Sequence, residues 1–180
     1  MTKVVAVILS GGVGSRFGKS YPKQFSKLAG KTIIEHTLSV FNSNKSIDEI
    51  VVVSKREFIN KTLELINKNE FMKVAKVISG GKERADSTLA ALNALSDESP
   101  DTKLLIHDSV RPFITDRIID DCVEKLNTFD AIDVVAPSND TIVEVNDDDI
   151  ITDIPKRSRM RRGQTPQAFK LSLLKNAYDV

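Results

Sequence analysis

The chain has 180 residues, 41% hydrophobic and 28% charged, and its 26 basic and 25 acidic side chains leave a net charge of +1. That length and balance describe one globular domain with its own core and exclude a nucleic-acid or acidic-membrane binder working by bulk charge. A single cysteine, Cys122, excludes an internal disulfide and a cysteine-built metal site. With no apolar span and no cleavage-like start, the expected compartment is the cytoplasm.

The first element is the run Val4–Leu9, too short and too β-branched for a helix and therefore a buried strand. It delivers the chain into Ser10-Gly11-Gly12-Val13-Gly14-Ser15-Arg16-Phe17-Gly18-Lys19-Ser20-Tyr21-Pro22-Lys23-Gln24. Gly11, Gly12 and Gly14 let backbone amides approach an anion with no Cβ in the way. Arg16 and Lys23 add positive charge on either side. The stretch reads as a triphosphate cradle; for the glycines alone, a surface turn with scattered charges is the plainer alternative. Two commoner phosphate motifs fail by one residue each. A Walker A loop needs glycine at Val13, and the dinucleotide fingerprint needs glycine at Phe17.

Next, Thr32–Phe41 carries apolar residues at helical spacing, and Ile50–Val53 reads as a buried strand. Residues 56–68 form an amphipathic helical pattern through Phe58, Ile59, Leu63 and Ile66. Val74–Ile78 is a third strand, ending at Gly80-Gly81 before a helix that carries Leu89, Leu92 and Leu95. Leu104–Ile106 is a fourth strand. The helix after it uses Ile118, Ile119, Cys122, Val123 and Leu126, with Thr115 as its N-cap. Ala131–Ala136 is a fifth strand. This alternation predicts right-handed crossovers and a mainly parallel sheet covered on both faces, with ligands at the carboxyl ends of the strands. The distinctive segments 11–23, 80–87 and 107–112 all fall at such ends.

After Pro137 the pattern changes. Asp140–Val145 and Ile150-Ile151, separated by Asn146-Asp147-Asp148-Asp149, predict a β-hairpin arm within about residues 138–160. A two-stranded arm is marginal alone, so a second subunit is a natural surface for it. The basic run Lys156–Arg162 follows. Residues 171–180 read as a helix with no cap or stop signal, so the single domain 1–180 is expected to be abbreviated at its C-terminus.

Attack by a phosphate oxygen on an α-phosphorus needs no general base, because the nucleophile is already anionic at neutral pH. It needs cations that stabilise charge in the transition state, the task assigned to Arg16 and Lys23. Asp108, at a strand end, suits Mg²⁺ held otherwise by water and phosphates, or else is an ordinary turn aspartate. Gly80, Gly81, Arg84 and Ser87 belong to a glycine turn entering a helix, whose amides can grip a base or a phosphate; a plain strand–turn–helix junction explains them equally well. His107 and His36 are expected to be satisfied core histidines and Cys122 a core residue. The basic run reads as a nucleic-acid patch, a solvated face or, as the net charge favours, a local site for a phosphorylated substrate that Arg157 can grip bidentately.

Taken together, these motifs resemble one family. The set comprises the glycine loop with Pro22-Lys23-Gln24, Gly80-Gly81-Lys82-Glu83-Arg84, His107-Asp108-Ser109-Val110-Arg111-Pro112, Asp140-Thr141-Ile142 and Gly163-Gln164-Thr165-Pro166-Gln167. It is similar to that of the CTP-dependent polyol-phosphate cytidylyltransferases, which act on D-ribitol 5-phosphate or 2-C-methyl-D-erythritol 4-phosphate. The resemblance implies a Rossmann-like α/β fold of the nucleotide-diphospho-sugar transferase type, Mg²⁺, and a homodimer through the β-arm. It implies that Arg16, Lys23 and Arg157 are catalytic, and that Leu9, Ser10, Gly11, Gly12, Gly14 and Ser15 hold CTP phosphates. Gly80, Gly81, Arg84, Ser87, Asp108, Ser109 and Arg111 complete the CTP site, with Asp108 on the metal side. Thr141 and Arg157 receive the polyol phosphate, in the partner's site. Met160, Arg161 and Arg162 match no family position. Leu9-Ser10-Gly11-Gly12, Ile154-Pro155-Lys156-Arg157 and the Gly163–Gln167 segment lean towards the ribitol branch, which implies teichoic acid or capsule biosynthesis; the methylerythritol branch implies isoprenoid biosynthesis. The family pattern continues with a second acidic metal-side residue and an active-site lysine, neither of which this chain contains. Uridylyl- or guanylyltransfer to hexose phosphates and a non-catalytic nucleotide-binding module are the remaining readings.

Overall fold

The computed structural model describes residues 2–12 and 22–180. Gly14, Ser15 and Arg16 lie outside the described residues. In chain order the elements are β1 (Val4–Ser10), a small hairpin of β2 (Lys27–Leu28) and β3 (Lys31–Thr32), α1 (Ile33–Ser43), β4 (Glu49–Ser54) and α2 (Ile59–Lys68). Then come β5 (Val74–Ser79), α3 (Arg84–Ala94), β6 (Lys103–Asp108), α4 (Asp116–Lys125) and β7 (Ala131–Pro137). The arm strands β8 (Glu144–Val145) and β9 (Ile151–Asp153), then β10 (Arg161–Lys170) and α5 (Leu171–Tyr178), complete the described strands and α-helices.

Six strands form one sheet in the order β5-β4-β1-β6-β10-β7. The first four pair in parallel, as the alternating pattern predicts. Side chains alternate across β1, so Val4, Ala6 and Ile8 face one core with α1, α2 and α4, while Val5, Val7 and Leu9 face a second with α3 and α5. Burial on both faces is what makes these strands continuous apolar runs.

Several elements depart from the sequence reading. β10 was not expected: it runs antiparallel to both β6 and β7, over a stretch read as the end of a basic run and the Gly163–Gln167 motif. Arg161 and Arg162 are exposed at its start, and the strand is interrupted at Pro166, which cannot donate to a ladder. The register jumps from Gly163↔Val135 to Gln167↔Asp133, so residues 164–166 bulge out of the β10–β7 pairing. The β2–β3 hairpin is closed by Ala29 and Gly30, both at positive φ as a type I′ turn requires. Thr115 occupies the N-cap position of α4 but makes no side-chain cap bond. Reciprocal capping boxes stand instead on α1, between Thr32 and Glu35, and on α3, between Glu83 and Asp86. Helix α5 does have a stop, Asp179 in the left-handed conformation.

His107 is buried as expected, in contact with the Phe41 ring, and Cys122 lies in the core with its thiol pushed up to about 11 by burial. His36 is only half-buried on α1, with Nε2 2.7 Å from the Leu28 carbonyl; it is satisfied, but not a core residue.

Burial pushes the His107 imidazole down to about 4, below its ordinary value of 6.5. The unfolded chain therefore binds one more proton than the folded chain between those two values. Stability is complete above the upper value and falls as the pH drops towards the lower one, by up to roughly 3 kcal/mol. Urea denaturation between pH 7 and 4.5 should show this slope, reduced by one proton in His107→Gln; an unchanged slope in the variant would contradict the assignment.

Candidate active site

The topology itself marks a position for ligand. From β1 the chain crosses through α1 to β4 and α2 to β5, then returns through α3 to β6 on the other side of β1. The strand order reverses between β1 and β6, and loops leaving two such strands diverge to leave a crevice at their carboxyl ends. Leu9 and Asp108 are register partners at that point, and the Ser109 amide donates to the Leu9 carbonyl at 2.9 Å.

A cleft of about 660 Å³ opens there, within the range of small-molecule sites. One wall is the end of β1 with Leu9, Gly11 and Gly12; Lys23 and Gln24 follow from a 3-10 turn before β2. The Gln24 amide donates to the Ser10 carbonyl at 3.0 Å, which fastens that turn to the β1 terminus. The opposite wall is the entrance of α3, with Gly81, Lys82, Arg84 and Ser87. Asp108 and Ser109 at the end of β6 close the third side.

The glycine turn before α3 is packed too closely for other residues. A methyl on Gly80 would stand 2.6 Å from Ser87 Oγ and 3.0 Å from Val53 Cγ1, and one on Gly81 would overlap the Asp86 side chain. Asp86 accepts from the Lys82 and Glu83 amides, both at 3.0 Å, and so fixes the turn. Ser87 Oγ donates to the Glu83 carbonyl.

Asp108 is shared by two guanidiniums. Arg84 Nη2 lies 3.5 Å from Oδ1 and Arg111 Nε lies 3.0 Å from Oδ2. Arg111 also donates through Nη1 to Gln164 Oε1 at 2.8 Å. With roughly two-fifths of each arginine side chain exposed, these pairs contribute at most about 1 kcal/mol apiece. They orient groups more than they hold the fold, and an anionic ligand can displace them cheaply.

The structure thus gathers Leu9, Gly11, Gly12, Lys23, Gly81, Arg84, Ser87, Asp108 and Ser109 around one cleft. Ser10 and Gly80 lie just behind its walls. Arg111 is not among the described lining residues of that cleft; it borders a second cavity of about 330 Å³ and pairs with Asp108, which lines the first. Thr141 and Arg157 line neither cavity. Both are exposed in the arm region, where Arg157 Nη1 donates to the Asn139 carbonyl. Gln24 and Lys82 line the cleft without having been singled out, although both stood inside quoted motifs. Among the described residues no group of three or more histidine, cysteine or acidic side chains could cage a metal ion. One carboxylate still suits Mg²⁺, which takes most of its ligands from water and phosphate.

Comparison with known proteins agrees with this geometry. The family model described as IspD, 2-C-methyl-D-erythritol 4-phosphate cytidylyltransferase, matches residues 4–180. The chain is 54% identical over 179 residues to the bifunctional ribulose 5-phosphate reductase/CDP-ribitol pyrophosphorylase Bcs1 of Haemophilus influenzae; the match covers 99% of this chain and 38% of that protein. It is 38% identical to the ribitol-5-phosphate cytidylyltransferase of Lactiplantibacillus plantarum, covering 98% of this chain and 77% of the relative. The crystal structure of 4-diphosphocytidyl-2C-methyl-D-erythritol synthase from Anaerococcus prevotii superposes with a TM-score of 0.84 at 26% identity, covering 99% of this chain and 75% of that one. The parallel sheet, the cleft at its reversal point and the matched sequence lead to one conclusion: the chain belongs to the 2-C-methyl-D-erythritol 4-phosphate cytidylyltransferase (IspD) family.

Proposed function

We propose that this chain transfers CMP from CTP to D-ribitol 5-phosphate, giving CDP-ribitol and pyrophosphate. The observation that carries the reading is the cationic, glycine-walled cleft at the β1/β6 reversal, with Lys23 and Arg84 on its walls and Asp108 between them. The acceptor phosphate oxygen attacks the α-phosphorus, a new P–O bond forms, and the bond to the bridging oxygen breaks as pyrophosphate leaves. Arg16 and Lys23 act on the negative charge that grows on the α-phosphoryl oxygens. Gly80, Gly81, Arg84 and Ser87 receive cytosine and ribose. Asp108 is the residue to hold Mg²⁺, which when bound would offset phosphate charge.

The 54% identity to a CDP-ribitol pyrophosphorylase supports ribitol 5-phosphate as acceptor. Methylerythritol 4-phosphate is the second reading, supported by the matching family model. A homodimer is supported by the arm. Its residues Ile142, Val143, Val145, Ile150, Ile151 and Ile154 are all exposed, an apolar set that a second copy would cover. Thr141 and Arg157 then serve the partner's acceptor site. No helix among the described residues is long and apolar enough to cross a membrane.

Three outcomes are expected. Pyrophosphate release with CTP and Mg²⁺ should occur with ribitol 5-phosphate and fall by about 10²–10³ in Lys23→Ala or Arg16→Ala with the fold retained; near-normal turnover would remove that residue from the mechanism. Gly81→Ala should weaken CTP binding by roughly tenfold or more in calorimetry, because the methyl displaces Asp86 from the turn. Val145→Asp with Ile151→Asp should shift sedimentation from dimer to monomer; a monomeric wild type would remove the dimer.

A further inference from the structure

Lys23 is carried by a single 3-10 turn, Lys23–Phe25, just before β2. Two backbone bonds close it, from the Phe25 amide to the Pro22 carbonyl at 3.1 Å and from the Ser26 amide to the Lys23 carbonyl at 3.0 Å. So short a turn has too few internal bonds to hold its own orientation. Its neighbours supply the rest. Phe25 is buried edge-on against the Phe58 ring, centroids 5.5 Å apart, and the Lys61 ammonium lies 4.5 Å from the centre of its face. The Ser26 carbonyl accepts from the Ile33 amide at 3.0 Å, at the start of α1. These contacts fasten the exit of the turn to α1 and to the segment around α2. A turn fixed at its exit alone would pivot there and carry Lys23 with it.

Gln24 supplies a second attachment, to a different element. Its side chain is buried, and Nε2 donates to the Ser10 carbonyl at 3.0 Å. A carbonyl only accepts, so the nitrogen of the amide is the end that faces it. Ser10 is the last residue of β1, and Gly11 and Gly12 after it line the same cleft as Lys23. The bond therefore sets the Lys23 backbone directly against the glycine wall. The residue type matters here. A buried Lys or Arg would also donate but would bring a charge into the interior, an ionised Glu has no proton to give, and Asn is a methylene short.

We infer that Gln24 is a positioning residue for nucleotidyl transfer: its side-chain amide fixes the Lys23 turn against the end of β1 and so aims the lysine into the nucleotide cleft. The inference rests on the function proposed above. Gln24 acts through Lys23 and needs no substrate contact of its own. A misplacement of about 1 Å in such a group costs as much as 10²-fold in rate.

Gln24→Met keeps the length of the side chain and removes the donor. In the pyrophosphate-release assay, kcat of Q24M should fall roughly 10- to 100-fold, with KM for CTP changed by less than about threefold. In the Lys23→Ala background the same substitution should cost less than about twofold, because the group it positions is gone. Wild-type kcat in Q24M, or an equal loss with and without Lys23, would overturn the inference. If Q24M does not fold, Gln24→Asn, which keeps an amide but not its reach, takes its place with the same expectations. A second readout is independent of turnover. Hydrogen exchange of the Phe25 and Ser26 amides, which close the turn, should quicken at least about tenfold in Q24M while the β4 amides stay protected. If the wild type releases no pyrophosphate, the proposed function fails and exchange alone decides: unchanged Phe25 and Ser26 protection in Q24M overturns the inference.

Discussion

The structure depends on one constraint, the side-by-side parallel pairing of β1 and β6 at the point where the strand order reverses. Because Leu9 and Asp108 are register partners, the glycine-rich segment and the Asp108–Arg111 turn leave the sheet next to each other. Because the crossovers then go to opposite sides, a cleft opens between them, lined by described residues of both. The two apolar cores on either face of β1 hold that pairing in place, since every residue of the strand is buried. The cleft is a consequence of the winding, and its chemistry comes from what the loops carry.

That chemistry is electrostatic. Among the described lining residues, Lys23, Lys82 and Arg84 face Glu83 and Asp108, and Arg111 adds charge from behind Asp108. The local balance is positive in a chain whose net charge is only +1, which suits an anionic ligand bound at one place. The ion pairs at Asp108 are half-exposed and so weak enough to rearrange. The turn beneath them is hydrogen-bonded within itself and to His107, so what rearranges is the side chains and not the turn. No described histidine or cysteine stands ready as a base or nucleophile: His107 is neutral and spoken for on both nitrogens, and Cys122 lies in the core. A reaction whose nucleophile is already an anion requires neither.

Much of this was legible in the sequence, for specific reasons. Val4–Leu9, Ile50–Val53 and Leu104–Ile106 are apolar runs of strand length, and burial on both faces is the physics that writes them. Glycines at 11, 12, 80 and 81 announced close approach at strand ends, and the structure puts Gly11, Gly12 and Gly81 on the cleft. What stayed hidden is non-local. β10 starts with Arg161 and Arg162 at the end of the basic run and has Pro166 within it, and its pairing with β6 spans a long sequence separation that no local pattern encodes. The contact between Gln164 and Arg111 follows from a bulge, which exists only in the register of two strands. The expected N-cap at Thr115 failed because an extended backbone at the right position does not oblige the hydroxyl to bond. Arg111, read from its motif as a nucleotide ligand, borders the second cavity and pairs with Asp108 on the first.

The central claim is that CTP binds at the β1/β6 reversal. Titration of the ¹⁵N-labelled chain with CTP and Mg²⁺ tests it most directly, residue by residue. The account predicts that the amides of Gly11, Gly12, Gly81, Lys82 and Ser109 shift together along one saturating curve, while those of the arm strands β8 and β9 stay still. Shifts confined to the arm or to the second cavity around Phe113 and Ile118, with the glycine amides unmoved, would contradict it.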